Sequence, residues 1–510
     1  RNGPTVLPTS GDVGAQYTPA VGWAQAITYR QHVLGEAGWQ GALAVALGGE
    51  GSTASNGFWA ALNVATTLKL PMLFFVENNE YGLSVPAEFQ SPGGDITANL
   101  AAYGNLKIIS ADGTEPAQAW QAIQEAVNYV RSGAGACLLQ MRVVRLAGHT
   151  FIDDQAYKSA ERRADEAERD PVKRLCAYHA SPLLSLPPSL DGECGAKAGE
   201  LCECLVEEVR AELAEALQAA EAEPEPDPAT ATRHVYYEDL TPLQGGLRPE
   251  GAIIPMGSAT PQPSGPRVNL IDAVRRALES EMQRNPHLLV FGEDVGVKGG
   301  VHGATLDMQA HFGAERVFDT SLNEDGIIGR ALGMAYAGLL PVPEIQFRKY
   351  ADPAHEQLHD IGWVRWRTAG KFAAPLVVRI PVGFGKKTGD PWHSVSDEAT
   401  YAHMFGWRIA YPSNAEDAVG LLRTALRGDD PTFFFEHRAL LDTSEGRRPY
   451  PGEDFCLPFG KAAWLSQGNE LTLVTWGGMV SRCLEAARPF SGRVAVLDLR
   501  TSRNAWSNLR

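Results

Sequence analysis

Lysine is scarce in this 510-residue chain, cysteine is sparse, and no long apolar run occurs. The seven cysteines, at 137, 176, 194, 202, 204, 456 and 483, are too few and too irregular for a disulfide framework, which points to a reducing compartment. Cys202-Glu-Cys204 with Cys194 lacks the two-residue ligand spacing of a zinc site and lies inside a helical pattern, so no metal is expected there. No stretch of about 18 apolar residues is present and Arg1-Asn-Gly-Pro is no signal peptide, so a soluble protein is expected. Only 11 of the 45 basic residues are lysine, and 45 basic against 61 acidic residues leaves a net charge of −16. That sign is wrong for a chain that lives on phosphate backbones, which excludes nucleic acid as an expected partner. A chain opening without Met and stopping at Trp506-Ser-Asn-Leu-Arg510 in mid-pattern is also expected to be incomplete.

The hydrophobic fraction, 44%, is enough for substantial cores, and the length suggests three or four domains at roughly 100 to 200 residues each. Between residues 41 and 145 short apolar runs alternate with helical patterns: Ala42 to Leu47, a helix near Asn56 to Lys69, Met72 to Val76, a helix near Pro116 to Arg131, and Cys137 to Val144. Such alternation implies βαβ units and a parallel sheet. Leu201, Leu205, Val209, Leu213 and Leu217 then mark an amphipathic helix. The 26 residues Thr241 to Pro266 hold six Pro and five Gly, the composition of an extended linker. A second α/β unit follows from Leu270 to Phe435. Leu471 to Trp476 and Val494 to Leu499 read as opening strands of a third. The expected fold class is α/β, with two parallel-sheet domains joined by a linker and an incomplete third domain. The boundaries are 1–180, 181–267, 268–450 and 451–510.

The most informative segment runs Gly48-Gly-Glu-Gly-Ser-Thr-Ala-Ser-Asn-Gly-Phe-Trp59 and continues through Leu70 to Glu77-Asn-Asn-Glu-Tyr81. A six-residue strand rises about 20 Å and a helix of about 13 residues returns the same distance. A right-handed crossover therefore places Glu50 and Asn79 at the carboxyl ends of neighbouring parallel strands, where open α/β sheets bind ligands. Glycines there let backbone N–H groups approach a phosphate, and the next helix start adds its positive end. A carboxylate, an amide oxygen, a backbone carbonyl and diphosphate oxygens make an octahedral magnesium site. Taken alone, Gly48 to Gly51 is equally an ordinary strand-to-helix turn.

The paired spacing resembles the thiamine diphosphate signature, Gly-Asp-Gly or Gly-Glu-Gly followed by a helix and Asn-Asn. Gly49 to Pro86 is similar to the alpha subunit of the 2-oxoacid dehydrogenases, and Glu50 in place of Asp resembles the branched-chain members. The resemblance covers residues 10 to about 238. It implies that Glu50, Asn79 and the carbonyl of Tyr81 hold magnesium, that Gly49, Gly51 and Ser52 face the cofactor, and that Val13 supports its bend. Thr18 to Gly22 and Gly148-His-Thr150, with Asp153 and Tyr157, fall where the family has corresponding patterns. Gly11 replaces a usual Ser, Ala15 replaces a Thr associated with a potassium site, and a diphosphate-gripping Tyr-Arg pair has no counterpart from Arg1 onward.

Residues 268 to 510 resemble the beta subunit of the same enzymes, so the chain looks like an alpha-beta fusion. In Ser321-Leu-Asn-Glu-Asp-Gly-Ile-Ile-Gly329 the resemblance makes Glu324 the acid that faces the cofactor's aminopyrimidine ring, with Leu322 beside it. Glu344-Ile-Gln-Phe-Arg-Lys-Tyr350 matches a strand end where Gln346 and Tyr350 face cofactor and substrate. Trp392-His-Ser-Val-Ser-Asp-Glu398 matches a His-Ser-Gln-Ser motif, which makes His393 the candidate proton donor, while His149 is placed beside the dihydrolipoyl sulfur. Taken alone, Glu324-Asp325 is a helix-start pair and His393 and His149 are surface imidazoles. His403 and His437 carry no assignment.

The resemblance implies oxidative decarboxylation of a 2-oxoacid, pyruvate or a branched-chain one, with thiamine diphosphate and Mg2+, and acyl transfer to a lipoyl-bearing dihydrolipoyl acyltransferase. A homodimer of the fused chain is expected, cytoplasmic in a bacterium and in the mitochondrial matrix in a eukaryote, with no membrane partner. Acetoin dehydrogenase shares the motifs, a transketolase-like transferase is a more distant alternative, and a noncatalytic truncated interaction subunit is an alternative from another class.

Overall fold

The computed structural model describes residues 5–179, 198–238, 254–385 and 389–502. The chain forms two compact units, one of residues 43–59 and 65–232, the other of residues 1–42, 60–64 and 233–510. No helix among the described residues is long and apolar enough to cross a membrane.

The first unit holds a four-stranded parallel sheet in the spatial order Ala44–Gly49, Met72–Asn78, Ala136–Arg142, Leu106–Asp112. Its central strands are continuous apolar runs because both faces are covered, as in Met72-Leu-Phe-Phe and Cys137-Leu-Leu. The Pro116–Arg131 helix starts with Pro in its first turn, where a missing N–H costs nothing, and buries Ala122, Ala126 and Val130. The Leu106–Asp112 strand was not expected from the sequence, and it completes the sheet edge. The Ala198–Ala222 helix forms as expected and leaves Leu205, Val209, Leu213 and Leu217 exposed. Cys176 is disulfide-bonded, a departure from an all-reduced set; its partner lies outside the described side chains.

The second unit is built on a seven-stranded sheet in the order Thr501–Ser502, Arg408–Ala410, Thr432–His437, Val377–Val382, Leu340–Glu344, Leu288–Gly292, Val317–Asp319. All pairs are parallel except the first. Asn269, Asn323 and Asn414 cap the helices Leu270–Arg284, Glu324–Tyr336 and Ala415–Arg427, each accepting from a backbone N–H three residues on. Part of the expected linker is structured. Ser264–Val268 pairs antiparallel with Arg448–Tyr450, and Ser258 bridges Phe455; residues 239–253 lie outside the described set. Both strands expected in the third sheet form, Gly468–Thr475 and Gly492–Asp498 pairing in parallel, and the sheet gains one that was not expected, Ala463–Ser466, antiparallel on the other side of Gly492–Asp498.

The Tyr17–His32 helix packs on Glu324–Tyr336 through glycine. A Cβ at Gly333 would sit 1.9 Å from the Pro19 carbonyl oxygen, and one at Gly22 would sit 2.1 Å from that of Arg330. Backbones in contact leave no side chain able to give way. Gly333→Ala is therefore expected to lose at least about 1–3 kcal/mol, read as a lower Tm by calorimetry. Gly38→Ala, whose Cβ meets nothing within 4 Å, should leave Tm nearly unchanged; equal shifts in both would refute the interlock.

Candidate functional site

In the first unit, Gly49 aligns with Glu77 across the parallel pair, so the two strands end side by side. Glu50 follows at the start of a short 3-10 turn and is buried. Its Oε2 accepts from the Asn79 backbone N–H at 3.1 Å, while Oε1 is buried with no hydrogen-bond partner. Burial, outweighing those backbone hydrogen bonds, raises the carboxyl above its ordinary 4.5. The Asn79 amide oxygen accepts from the Tyr81 N–H at 3.0 Å, and the Tyr81 carbonyl accepts from Arg145 at 3.1 Å. Each of these oxygens keeps a second lone pair. Among the described residues no three His, Cys, Asp or Glu side chains are grouped to hold a metal. The available donor set is one orphaned carboxylate oxygen with an amide and a carbonyl oxygen, hard ligands of the kind magnesium takes.

Gly51 is needed for closeness, since a Cβ there would lie 3.1 Å from the Gly82 Cα. Gly49 is different: its Cβ would make only ordinary contact with the Glu77 carbonyl, so its bareness leaves space rather than relieving a clash. The Ser52 hydroxyl donates to the Gly49 carbonyl at 2.6 Å, so in this geometry it offers lone pairs. Further along, Asp153 accepts from the His149 backbone N–H at 2.7 Å and from the Tyr157 hydroxyl at 3.2 Å. The first of these bonds holds the Asp153 carboxyl below its usual range. Arg145 reaches the Tyr157 hydroxyl as well as the Tyr81 and Leu83 carbonyls. Arg145 was passed over in the sequence, yet it ties the Asn79–Tyr81 turn to the His149 loop. The His149 residue itself is exposed.

In the second unit, the neighbouring strands Leu288–Gly292 and Leu340–Glu344 end in register at Gly292 and Glu344. Beyond those ends Glu293, Gln346 and Tyr350, together with Glu324 and Ile327 of the following helix, line one small cavity. Gln346 donates its amide N–H to Glu293 Oε2 at 2.7 Å, and Glu293 Oε1 is buried without a partner. The Tyr350 hydroxyl lies 2.9 Å from His393 Nε2. Phe347 stands behind them, its ring 4.3 Å from the His393 ring. Val13 and Leu322 are exposed, 69% and 81%, and neither lines this cavity. His437 is buried and accepts from the Ala439 N–H through Nδ1.

Glu293 was missed in the sequence, although Gly292-Glu-Asp294 at a strand's carboxyl end was a readable signal. Burial first, then the charges of Glu324 and Asp294, push it up to about 7. A carboxyl whose folded pKa is raised binds its proton more tightly in the folded state. Its contribution is therefore lost as pH rises from about 4.5 to about 7. Glu293→Gln, which mimics the protonated form, should gain in Tm over the parent as pH goes from 5 to 8. Thermal melts showing a pH-independent difference would contradict the shift.

The family described as dehydrogenase E1 component matches residues 1–229, and the family described as the pyrimidine binding domain of transketolase matches residues 267–443. The 2-oxoisovalerate dehydrogenase subunit beta of Bacillus subtilis is 40% identical over 238 residues, 46% of this chain and 72% of that protein. The pyruvate dehydrogenase E1 component subunit beta of Staphylococcus epidermidis is 38% identical over 239 residues, 46% and 73% of the two chains. Among solved structures, the transketolase of Campylobacter jejuni covers 98% of this chain and 72% of its own, with a TM-score of 0.61 and 16% identity, a likeness of fold.

Proposed function

The chain belongs to the thiamine diphosphate-dependent E1 family of 2-oxoacid dehydrogenases, and from that membership we propose that it decarboxylates pyruvate or a branched-chain 2-oxoacid and passes the acyl group to a lipoyl-bearing dihydrolipoyl acyltransferase. The observation that carries the reading is the cavity at the strand ends of the second unit, where Glu324 and Glu293 meet Gln346 and Tyr350. The two curated relatives named above act, by their names, on 2-oxoisovalerate and pyruvate, which supports those side chains as first choices.

Thiamine diphosphate, when bound, supplies the electron sink for decarboxylation. The chain's part is to bind, orient and move protons. Glu50, Asn79 and the Tyr81 carbonyl would hold Mg2+, with the orphaned Glu50 oxygen as the anionic ligand, and Gly49, Gly51 and Ser52 would face the diphosphate. Val13 and Leu322, exposed in their own unit, are apolar surfaces suited to the cofactor's rings. Glu324 would hold a proton at the aminopyrimidine ring nitrogen, while Gln346 and Tyr350 orient substrate. His393, fixed by the Tyr350 hydroxyl, is the proton donor, and His149 serves acyl transfer. We assign residues 1–180 and 268–450 to the diphosphate- and aminopyrimidine-binding modules, 181–267 to the connection and 451–510 to the start of a C-terminal domain. The chain acts as a homodimer in the bacterial cytoplasm.

Carbon dioxide release from a panel of 2-oxoacids, with a dye acceptor or with lipoyl domain, tests the reading. His149→Ala is expected to retain dye-coupled turnover and to lose transfer to lipoyl domain, whereas His393→Ala loses both. A chain that binds the cofactor and decarboxylates no 2-oxoacid would overturn the assignment. Equal loss in both assays for His149→Ala would move His149 to an earlier step.

A further inference from the structure

Arg438, a cation of the second unit, pairs with no carboxylate among the described residues. Arg438 follows the Thr432–His437 strand and is half-buried. Its hydrogen bonds use a single nitrogen: Nη1 donates to the His393 carbonyl at 2.6 Å and to the Gly383 carbonyl at 3.3 Å. Nε is buried with no hydrogen-bond partner. No carboxylate among the described residues pairs with it, and Glu436, two residues earlier, is bonded through both oxygens to Arg379, which also holds Glu344.

The surroundings sharpen this. The guanidinium carbon lies 5.0 Å from the centre of the Phe347 ring, whose other ring neighbours include His393 and, edge-on, His302 at 5.6 Å and Tyr350 at 5.9 Å. His302 is pushed down to about 4 by burial, with the positive charges of Arg438 and Arg379 adding to it, and its buried Nε2 has no partner. The niche around Phe347 is therefore partly buried, and no carboxylate among the described residues pairs with the guanidinium in it. An unpaired, partly desolvated guanidinium is costly, and the cost is recovered when an anion arrives. With Nη1 engaged, the Nε edge is the one left for the forked geometry that carboxylates fit.

Resting on the proposed decarboxylation of 2-oxoacids, we propose that Arg438 is a specificity-determining residue that takes a carboxylate of the substrate in the niche formed with Phe347, His393 and His302. The shared chemistry is a carboxylate, and its source is the reacting group or a second acid group on the side chain. These two differ in consequence. The reacting carboxylate loses its charge as carbon dioxide leaves, so a cation on it favours the bound substrate over the transition state and acts on KM. A side-chain carboxylate keeps its charge throughout, so the cation then acts on kcat/KM of dicarboxylic substrates only.

The test is a tryptophan-fluorescence titration, reported by Trp392 beside His393, of the full chain with thiamine diphosphate and Mg2+ and without them. The probes are pyruvate, 2-oxoglutarate and the neutral methyl ester of pyruvate. Arg438→Gln is expected to weaken acid binding about 10- to 150-fold, the worth of a charge-assisted contact, while ester binding is unchanged and Arg438→Lys recovers part of the loss. Weakening of both acids identifies the reacting carboxylate; weakening of 2-oxoglutarate alone identifies a side-chain acid group. Equal weakening of acid and ester would show that Arg438 only tethers the 383–393 loop and would overturn the proposal. So would a parent chain that binds the acids no better than the ester. If the acids bind through Arg438 and no carbon dioxide is released, the decarboxylation reading fails and the subsite stands.

Discussion

Glu324→Gln is expected to bind thiamine diphosphate and magnesium like the parent and to lose at least about a hundredfold in turnover, the scale of a positioned acid-base group. The amide keeps the size and one donor of the side chain but cannot exchange a proton. Its position makes the substitution clean. Glu324 is the first residue of the Glu324–Tyr336 helix, Asn323 already supplies the cap by accepting from the Gly326 N–H, and Asp325 stays in the first turn. The helix start therefore keeps an acid and a cap when Glu324 becomes neutral. Removing its charge also removes a like charge facing Glu293 across the cavity, which relaxes the raised Glu293 carboxyl. The pH range over which Glu293 lowers Tm should shift to lower pH accordingly. The direct measurement is hydrogen exchange at the thiazolium carbon of bound cofactor. Exchange at the parental rate in Glu324→Gln would remove Glu324 from the reaction.

The strands that position the two residue clusters, one in each unit, were legible because buried parallel strands are short apolar runs, and Met72 to Val76 or Thr432 to Phe435 have no other reading once helices flank them. The Glu50–Asn79 juxtaposition followed from one strand, one helix and one crossover, all local in sequence. What escaped reading depends on distant partners or lacks a periodic stripe. Tyr17–His32 is buried on Tyr17, Ala20, Val21, Ala24 and Ile27 and equally on Pro19, Gly22, Ala26 and Tyr29 of the opposite side, so its buried residues surround the helix instead of marking a face. Ser264–Val268 lies in a Pro/Gly-rich stretch and becomes a strand only through Arg448–Tyr450, far along the chain. Arg438 has ordinary neighbours in sequence and becomes notable only because no described carboxylate pairs with it, whereas Glu293 stood in the readable Gly292-Glu-Asp294 strand end and is marked out further by Glu324 across the cavity. Gly333 gave no sign of its role, because the atoms it makes room for belong to Pro19 and Trp23.

Glu50→Ala and Asn79→Ala are each expected to weaken thiamine diphosphate and magnesium together by at least about 10- to 100-fold, the scale for losing even an outer partner of a metal site. The double substitution should cost less than the two losses combined, because both groups serve one ion. The ligand-free protein supplies an independent readout. Glu50 is buried with one oxygen unpartnered and its carboxyl raised by burial, so without ligand it burdens the fold. Glu50→Ala should therefore melt no lower than the parent by more than the loss of the bond to the Asn79 N–H, about 0.5–1.5 kcal/mol. With cofactor and magnesium added, the parent should gain Tm in proportion to ligand bound, and the variant should gain little. Metal binding requires the ionised carboxylate, so affinity should fall as pH is lowered toward the raised Glu50 pKa, and Glu50→Ala should lack that dependence. Both single variants binding cofactor like the parent, with the same pH dependence, would take the magnesium clamp away from Glu50 and Asn79.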